Sequence, residues 1–206
     1  MRSPWLDIPL GDYEGHMLLP SVGQAEMLSD QLGRIVIELD PDSVAVLGCA
    51  GGNGFHRIPP DRRIVGVDIN PHYIAAAAER YAAICPRLEL HTADIGSEAP
   101  SIEPVSLVFA GLLFEYVPSQ SALRFVKSIC RDGGTLAAVL QLPLEGAGVV
   151  SRSPFKSLES LESVIHLVSP EELEAAAARA GFQLRSRDQV CLPSGKSFAI
   201  RTFRST

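Results

Sequence analysis

Residues 44–55 read VAVLGCAGGNGF, four apolar residues running straight into a glycine cluster. Val44 to Leu47 have the apolar, partly β-branched character of a strand buried on both faces. Glycines at 48, 51, 52 and 54 then strip side chains from the turn that follows, so another group can approach the backbone closely.

Moving outward, residues 21–39 carry apolar side chains at helical spacing, and Asp40-Pro41-Asp42 ends that helix. After the glycine turn a short helix is expected, stopped by Pro59-Pro60. RRIVGVDIN (62–70) reads as a second buried strand, with Asn70 as cap and Pro71 as first residue of a helix reaching 84. RLELHTADI (87–95) alternates like a third strand, and VSLVFAGLLFEYV (105–117) begins as a fourth. QSALRFVKSIC (120–130) follows as helix and GGTLAAVLQL (133–142) as a fifth strand. SPEELEAAAARAGF (169–182) is a helix with Ser169 as N-cap, Pro170 at its first position and Gly181 as its stop. Two alternating runs then flank PSG (193–195), which predicts a hairpin. Strands alternating with helices imply an α/β fold with a parallel sheet covered on both faces, here finished by antiparallel strands for seven in all.

The 206 residues suit one domain, 1–206, with a full core, and 46% hydrophobic content excludes a disordered chain. A net charge of −6 without any Lys/Arg run argues against nucleic acid as partner. No apolar run reaches the roughly 20 residues of a membrane span, and the N-terminus lacks a signal-peptide core, so a soluble, cytoplasmic protein is expected. Cys49, Cys85, Cys130 and Cys191 show no ligand spacing and lie in or beside apolar stretches. They are expected to be buried free thiols. The five histidines form no HExxH or other metal-ligand pattern, so no metal is expected.

The phosphate-loop pattern GxxxxGKS/T is absent, and the dinucleotide pattern GxGxxG fails in every register around Gly48 and Gly52. An acid, Asp68, stands at the end of the second strand, 20 residues after Gly48. Its carboxylate can accept hydrogen bonds from both hydroxyls of a ribose.

VLGCAGGNG (46–54), VGVDIN (65–70), HTADI (91–95), LVFAGLLFEYV (107–117) and CRDGGTLAAV (130–139) together resemble the class I S-adenosylmethionine-dependent methyltransferases over about residues 43–206. The resemblance implies a Rossmann-like seven-stranded mixed sheet with an antiparallel C-terminal hairpin and helices on both faces. It implies S-adenosylmethionine as cofactor and S-adenosylhomocysteine as product. By that resemblance Gly48, Cys49, Ala50, Gly51 and Gly52 pass beneath the methionine part. Asp68 holds the ribose, Ile69 lies against the adenine, Asp94 meets the adenine amino group and Ile95 lines the base. Ala110, Gly111 and Leu112 come near the transferred methyl, and a helix N-terminus after the loop favours the cofactor's carboxylate.

Two positions depart from the family pattern. Val46 stands where an acid is common, which leaves the cofactor's ammonium to Glu14 or Asp12. Ala50 replaces the middle glycine, so a turn that alanine can adopt is expected. Residues 1–40 form an N-terminal arm and helix, and GDYEGHM (11–17), placed ahead of that helix, is a candidate cofactor lid. Glu115, Tyr116 and the long connection 143–168 are candidates for the substrate side. No catalytic base stands out. FAGLLFEY lacks the Asn/Asp-Pro-Pro-aromatic pattern of adenine amino methylation, so the expected acceptor is a small molecule. The competing reading is a non-catalytic S-adenosylmethionine-binding module.

Overall fold

The computed structural model describes residues 3–97, 100–144, 149–151 and 153–206. Seven strands form one sheet: β1 (Ser43–Leu47), β2 (Arg63–Asp68), β3 (Leu88–Thr92), β4 (Val105–Gly111), β5 (Cys130–Gln141), β6 (Phe182–Cys191) and β7 (Ser197–Ser205). Their order is β3-β2-β1-β4-β5-β7-β6, parallel except for β7, which runs antiparallel to both β5 and β6. The helices are α1 (Leu10–Leu18), α2 (Gln24–Leu39), α3 (Pro71–Tyr81), α4 (Ser119–Ile129) and α5 (Pro170–Arg179).

The period of two along each strand sorts the core into two layers. Leu107 and Phe109 of β4 pack with Leu28, Leu32 and Ile35 of α2 on one face. Val108 and Ala110 join Leu123, Phe125 and Val126 of α4 and Leu173 of α5 on the other. β1 is buried along its whole length, whereas edge strands β3 and β6 alternate towards solvent. Helix starts follow the capping chemistry read from sequence. Asn70 Oδ1 accepts the His72 N–H at 2.9 Å, and Ser169 and Glu172 bond reciprocally at 3.1 and 2.9 Å.

Three expectations need correction. The short helix after the glycine turn is only a 3-10 turn, Phe55–Arg57, because Gly52 and Gly54 hold φ of 91° and 81° and Pro59-Pro60 closes the segment. The helix N-terminus invoked for the cofactor's carboxylate is therefore absent. Residues 11–17 do not precede the first helix; they lie inside α1. Cys191 is exposed at the end of edge strand β6, while the other three thiols are buried. Among the described residues no helix is long and apolar enough to cross a membrane.

Candidate functional site

A cavity of about 410 Å³ opens at the C-terminal ends of the parallel strands, inside the roughly 300–1,000 Å³ span usual for ligand sites. β1 and β4 meet there at the point where strand order reverses, the usual ligand crevice of open α/β sheets. Gly48, Ala50, Asp68, Ile69, Asp94, Ile95, Gly111 and Leu112 all line it.

Asp68 is buried at the end of β2. Its Oδ2 accepts the Ala50 N–H at 2.8 Å and its Oδ1 the Asn70 N–H at 2.9 Å. The Ile69 N–H also supports the carboxylate, which with about four acceptor sites keeps capacity for a further donor. Burial pushes the carboxyl up to about 6, against the backbone N–H groups that hold it down. Ala50 sits at φ 47°, in the left-handed region that costs an alanine roughly 1–2 kcal/mol. The turn is thus the left-handed one that glycine would favour, held here by the bond to Asp68.

Cys49, Gly51, Gly52 and Ala110 are not brought to the cavity wall. Cys49 is buried behind the loop, and burial raises its thiol well above the usual range. A Cβ on Gly51 would meet Arg80 and Glu14, and one on Gly52 would lie 2.5 Å from Tyr81 Cε2. These two glycines admit neighbouring side chains of the fold. Ala110 packs in the layer of α4. Asp94 lines the cavity and turns its Oδ1 to the Gly96 N–H at 2.9 Å. Glu14 is taken by Arg80 through both carboxylate oxygens, and Asp12 accepts from Ser157 Oγ at 2.6 Å. Neither lines the cavity, so neither is placed to meet an ammonium there.

Sequence reading overlooked an aromatic group on the roof. Trp5 meets Tyr13 and Tyr116 edge-on, with centroids 5.7 and 5.0 Å away, and Tyr13 stacks on Tyr73 at 5.9 Å. The arm is tied down by Asn70 Nδ2 to the Trp5 carbonyl at 2.8 Å and by Tyr73 Oη to the Ile8 carbonyl at 3.0 Å. Ile8 packs with Leu158 and Leu161 from the 143–168 connection, of which residues 145–148 and 152 lie outside the described residues. A Cβ on Gly15 would fall 2.4 Å from the Phe155 ring, so the missing side chain lets that connection close on α1.

The opposite end of the cavity is polar and buried. Glu115 Oε1 accepts the Gln141 N–H at 2.7 Å, while Oε2 has no hydrogen-bond partner among the described residues. Burial pushes this carboxyl up to about 7. Gln24 Nε2 donates to Gln141 Oε1 at 3.0 Å, and His16 Nδ1 lies 2.8 Å from Ser153 Oγ. Lys196, 6% exposed, completes this end. A lysine just after a PSG turn reads as a solvated one, so the sequence held no sign of it.

Residues 46–136 match a family model described as a methyltransferase domain. A curated relative, trans-aconitate 2-methyltransferase of Sinorhizobium fredii (strain NBRC 101917 / NGR234), is 29% identical over 160 residues. The match takes in 75% of this chain and 53% of that protein, so the chain spans about half the relative's length. Among solved structures, N-methyltransferase NodS from Bradyrhizobium japonicum WM9, in complex with S-adenosyl-L-homocysteine, superposes with a TM-score of 0.65 at 16% identity, over 86% of this chain and 85% of that one. The cyclase SpnF superposes with a TM-score of 0.66 at 18% identity, over 85% of this chain and 80% of that one. At these identities the superpositions carry the fold alone, and that fold is the one expected from the sequence.

Proposed function

We propose that this chain, whose core is a methyltransferase domain of the class I S-adenosylmethionine-dependent family, transfers a methyl group from that cofactor to a small-molecule acceptor. The observation that carries the reading is the pairing of Asp68 with the left-handed Ala50 loop at the rim of one buried cavity. The remaining acceptor capacity of the Asp68 carboxylate suits a ribose hydroxyl, and the bare backbone at Gly48 leaves room for the methionine portion. Ile69 and Ile95 offer apolar faces to an adenine, with Asp94 at its edge.

When bound, the cofactor supplies an electrophilic methyl, which an acceptor lone pair takes while the C–S electron pair stays on sulfur. The protein's part is positioning and exclusion of water. Trp5, Tyr13 and the 155–165 segment form an apolar cover that keeps bulk water from the crevice. We read residues 1–40 as carrying that lid and 143–168 as the acceptor wall of a single domain, 1–206. The curated relative is named for methylating a small organic acid, which supports a small molecule over a macromolecule as acceptor.

A reading as binding module without methyl transfer is favoured by the departures of the first loop, Val46 in place of an acid and Ala50 held at φ 47°, and by the lack of a clear base. Calorimetric titration with S-adenosylhomocysteine, with NAD in parallel, tests the cofactor. Micromolar binding of the first alone is expected, and binding of NAD instead would sink the assignment. Methyl transfer to no member of a small-molecule panel, despite tight cofactor binding, would favour the module.

A further inference from the structure

The cavity has two chemically different ends. The acids Asp68 and Asp94 stand at the ends of β2 and β3, and Lys196 stands across the sheet. It directly precedes β7, where the Leu142 N–H bonds the Ser197 carbonyl at 2.9 Å beyond the end of β5. The Lys196 side chain lines the cavity, and no hydrogen bond or ion pair to another described residue engages its ammonium. Burial alone pushes Lys196 below the usual lysine range, since drawing a cation from water costs free energy unless an anion meets it. Among the described residues no carboxylate is paired with it.

Its neighbours suit an anion. His16 is lowered by burial first and by the Lys196 charge second, which puts the two side chains in one electrostatic neighbourhood. Gln24 and Gln141 hold each other through their amides at 3.0 Å. Glu115, the acid on this side among the described residues, keeps its proton more readily than an ordinary glutamate and can donate from Oε2. Leu158 and Leu161 line the same cavity, and their apolar surface lowers the water content around an ion pair formed in it.

We propose that this end of the cavity is an acceptor subsite for a small organic acid, with the Lys196 ammonium holding the acid's carboxylate. This rests on the methyl-transfer reading above. A carboxylate supplies the counter-ion that no described residue provides. A cationic amine would place a second positive charge beside Lys196 and is disfavoured for that reason.

The test is calorimetric titration of succinate, tricarballylate and benzoate, each beside its neutral amide, into protein already saturated with S-adenosylhomocysteine. At least one carboxylate should bind and its amide should not. Lys196→Met should weaken that binding by at least about 10-fold, with Lys196→Arg restoring most of it and both variants binding S-adenosylhomocysteine as the parent does. Equal binding of acids and amides, binding of no acid, or an undiminished affinity in Lys196→Met would overturn the subsite. Loss of S-adenosylhomocysteine binding in a folded Lys196→Met, with Lys196→Arg unaffected, would assign the ammonium to the cofactor's own carboxylate and overturn it too. Failure of the parent protein to bind S-adenosylhomocysteine would instead bring down the methyl-transfer reading on which it stands.

Discussion

The Ala50 N–H donates to Asp68 Oδ2 across 2.8 Å, joining the turn after β1 to the end of β2. The bond explains how an alanine is kept at φ 47° where a glycine would be easier. It also makes the loop and the acid one unit: what disturbs the carboxylate disturbs the backbone expected beneath the cofactor's methionine.

Asp68→Asn should weaken S-adenosylhomocysteine binding at pH 8 by about 10- to 100-fold, the size of one or two charge-assisted hydrogen bonds. The parent should show a pH dependence that the variant lacks. Its carboxyl titrates at about 6, so the ionised acceptor is fully present above that value and lost as pH falls through it. Affinity should drop by up to about 10-fold per pH unit below 6 in the parent and stay flat in Asp68→Asn. Calorimetry between pH 5 and 8 decides the point, and a pH-independent parent would remove Asp68 from the contact.

The sheet was legible in the sequence because its elements are locally consistent. Val44 to Leu47, the Asn70-Pro71 cap and the Ser169–Glu172 box each point to one structure, and no distant contact overrides them. The cavity floor was legible through the glycine turn followed 20 residues later by Asp68 at a strand end, and that same carboxylate also holds the Ala50 and Asn70 N–H groups. Of the roof and the polar end, Tyr13, His16, Glu115 and Tyr116 stand out in the sequence as candidates, while their contacts and Lys196 do not. Trp5, Tyr13 and Tyr116 meet only through tertiary packing, and nothing in the residues around Lys196 announces burial. That Gly51 and Gly52 lie off the cavity lining was hidden for a related reason. A missing side chain signals close approach but not which neighbour approaches, and here the neighbours are Arg80 and Tyr81.

Gly52→Val should therefore act first on stability. The new Cβ would fall 2.5 Å from Tyr81 Cε2, and φ is 91°, so overpacking and backbone strain add. A loss of about 3 kcal/mol is expected, or a Tm lower by about 6–12 °C for a chain of this size. Thermal unfolding measured beside S-adenosylhomocysteine affinity separates the cases. Binding abolished at an unchanged Tm would put the ligand against Gly52 after all.

Trp5 is the only tryptophan, so its fluorescence reports on the arm without labels. Ligand closing beneath the arm should shift that emission. Trp5→Ala removes two edge-on aromatic contacts, each worth about 0.5–1.5 kcal/mol, and should speed S-adenosylhomocysteine dissociation roughly 10-fold. Stopped-flow displacement, followed in the variant by loss of bound radiolabelled ligand, gives both rates. An unchanged emission and an unchanged rate would show that the arm is no lid.

Glu115 carries a stability signature that its burial dictates. Its folded-state carboxyl lies at about 7, above its value in an unfolded chain, so between those values the folded protein holds the extra proton. Stability must then fall as pH rises from about 4.5 through 7, by on the order of 3 kcal/mol in all, and level off above. Glu115→Gln keeps an oxygen for the Gln141 N–H, bonded at 2.7 Å in the parent, and never ionises. The variant should match the parent near pH 5 and exceed it at pH 8, as read by urea unfolding at both values. Asp68 gives a slope of the same sign and similar steepness below about pH 6, and it persists in Glu115→Gln, so the part that the glutamine removes belongs to Glu115. A variant no more stable than its parent at pH 8 would mean that the Glu115 carboxylate finds a partner which the burial of Oε2 argues against.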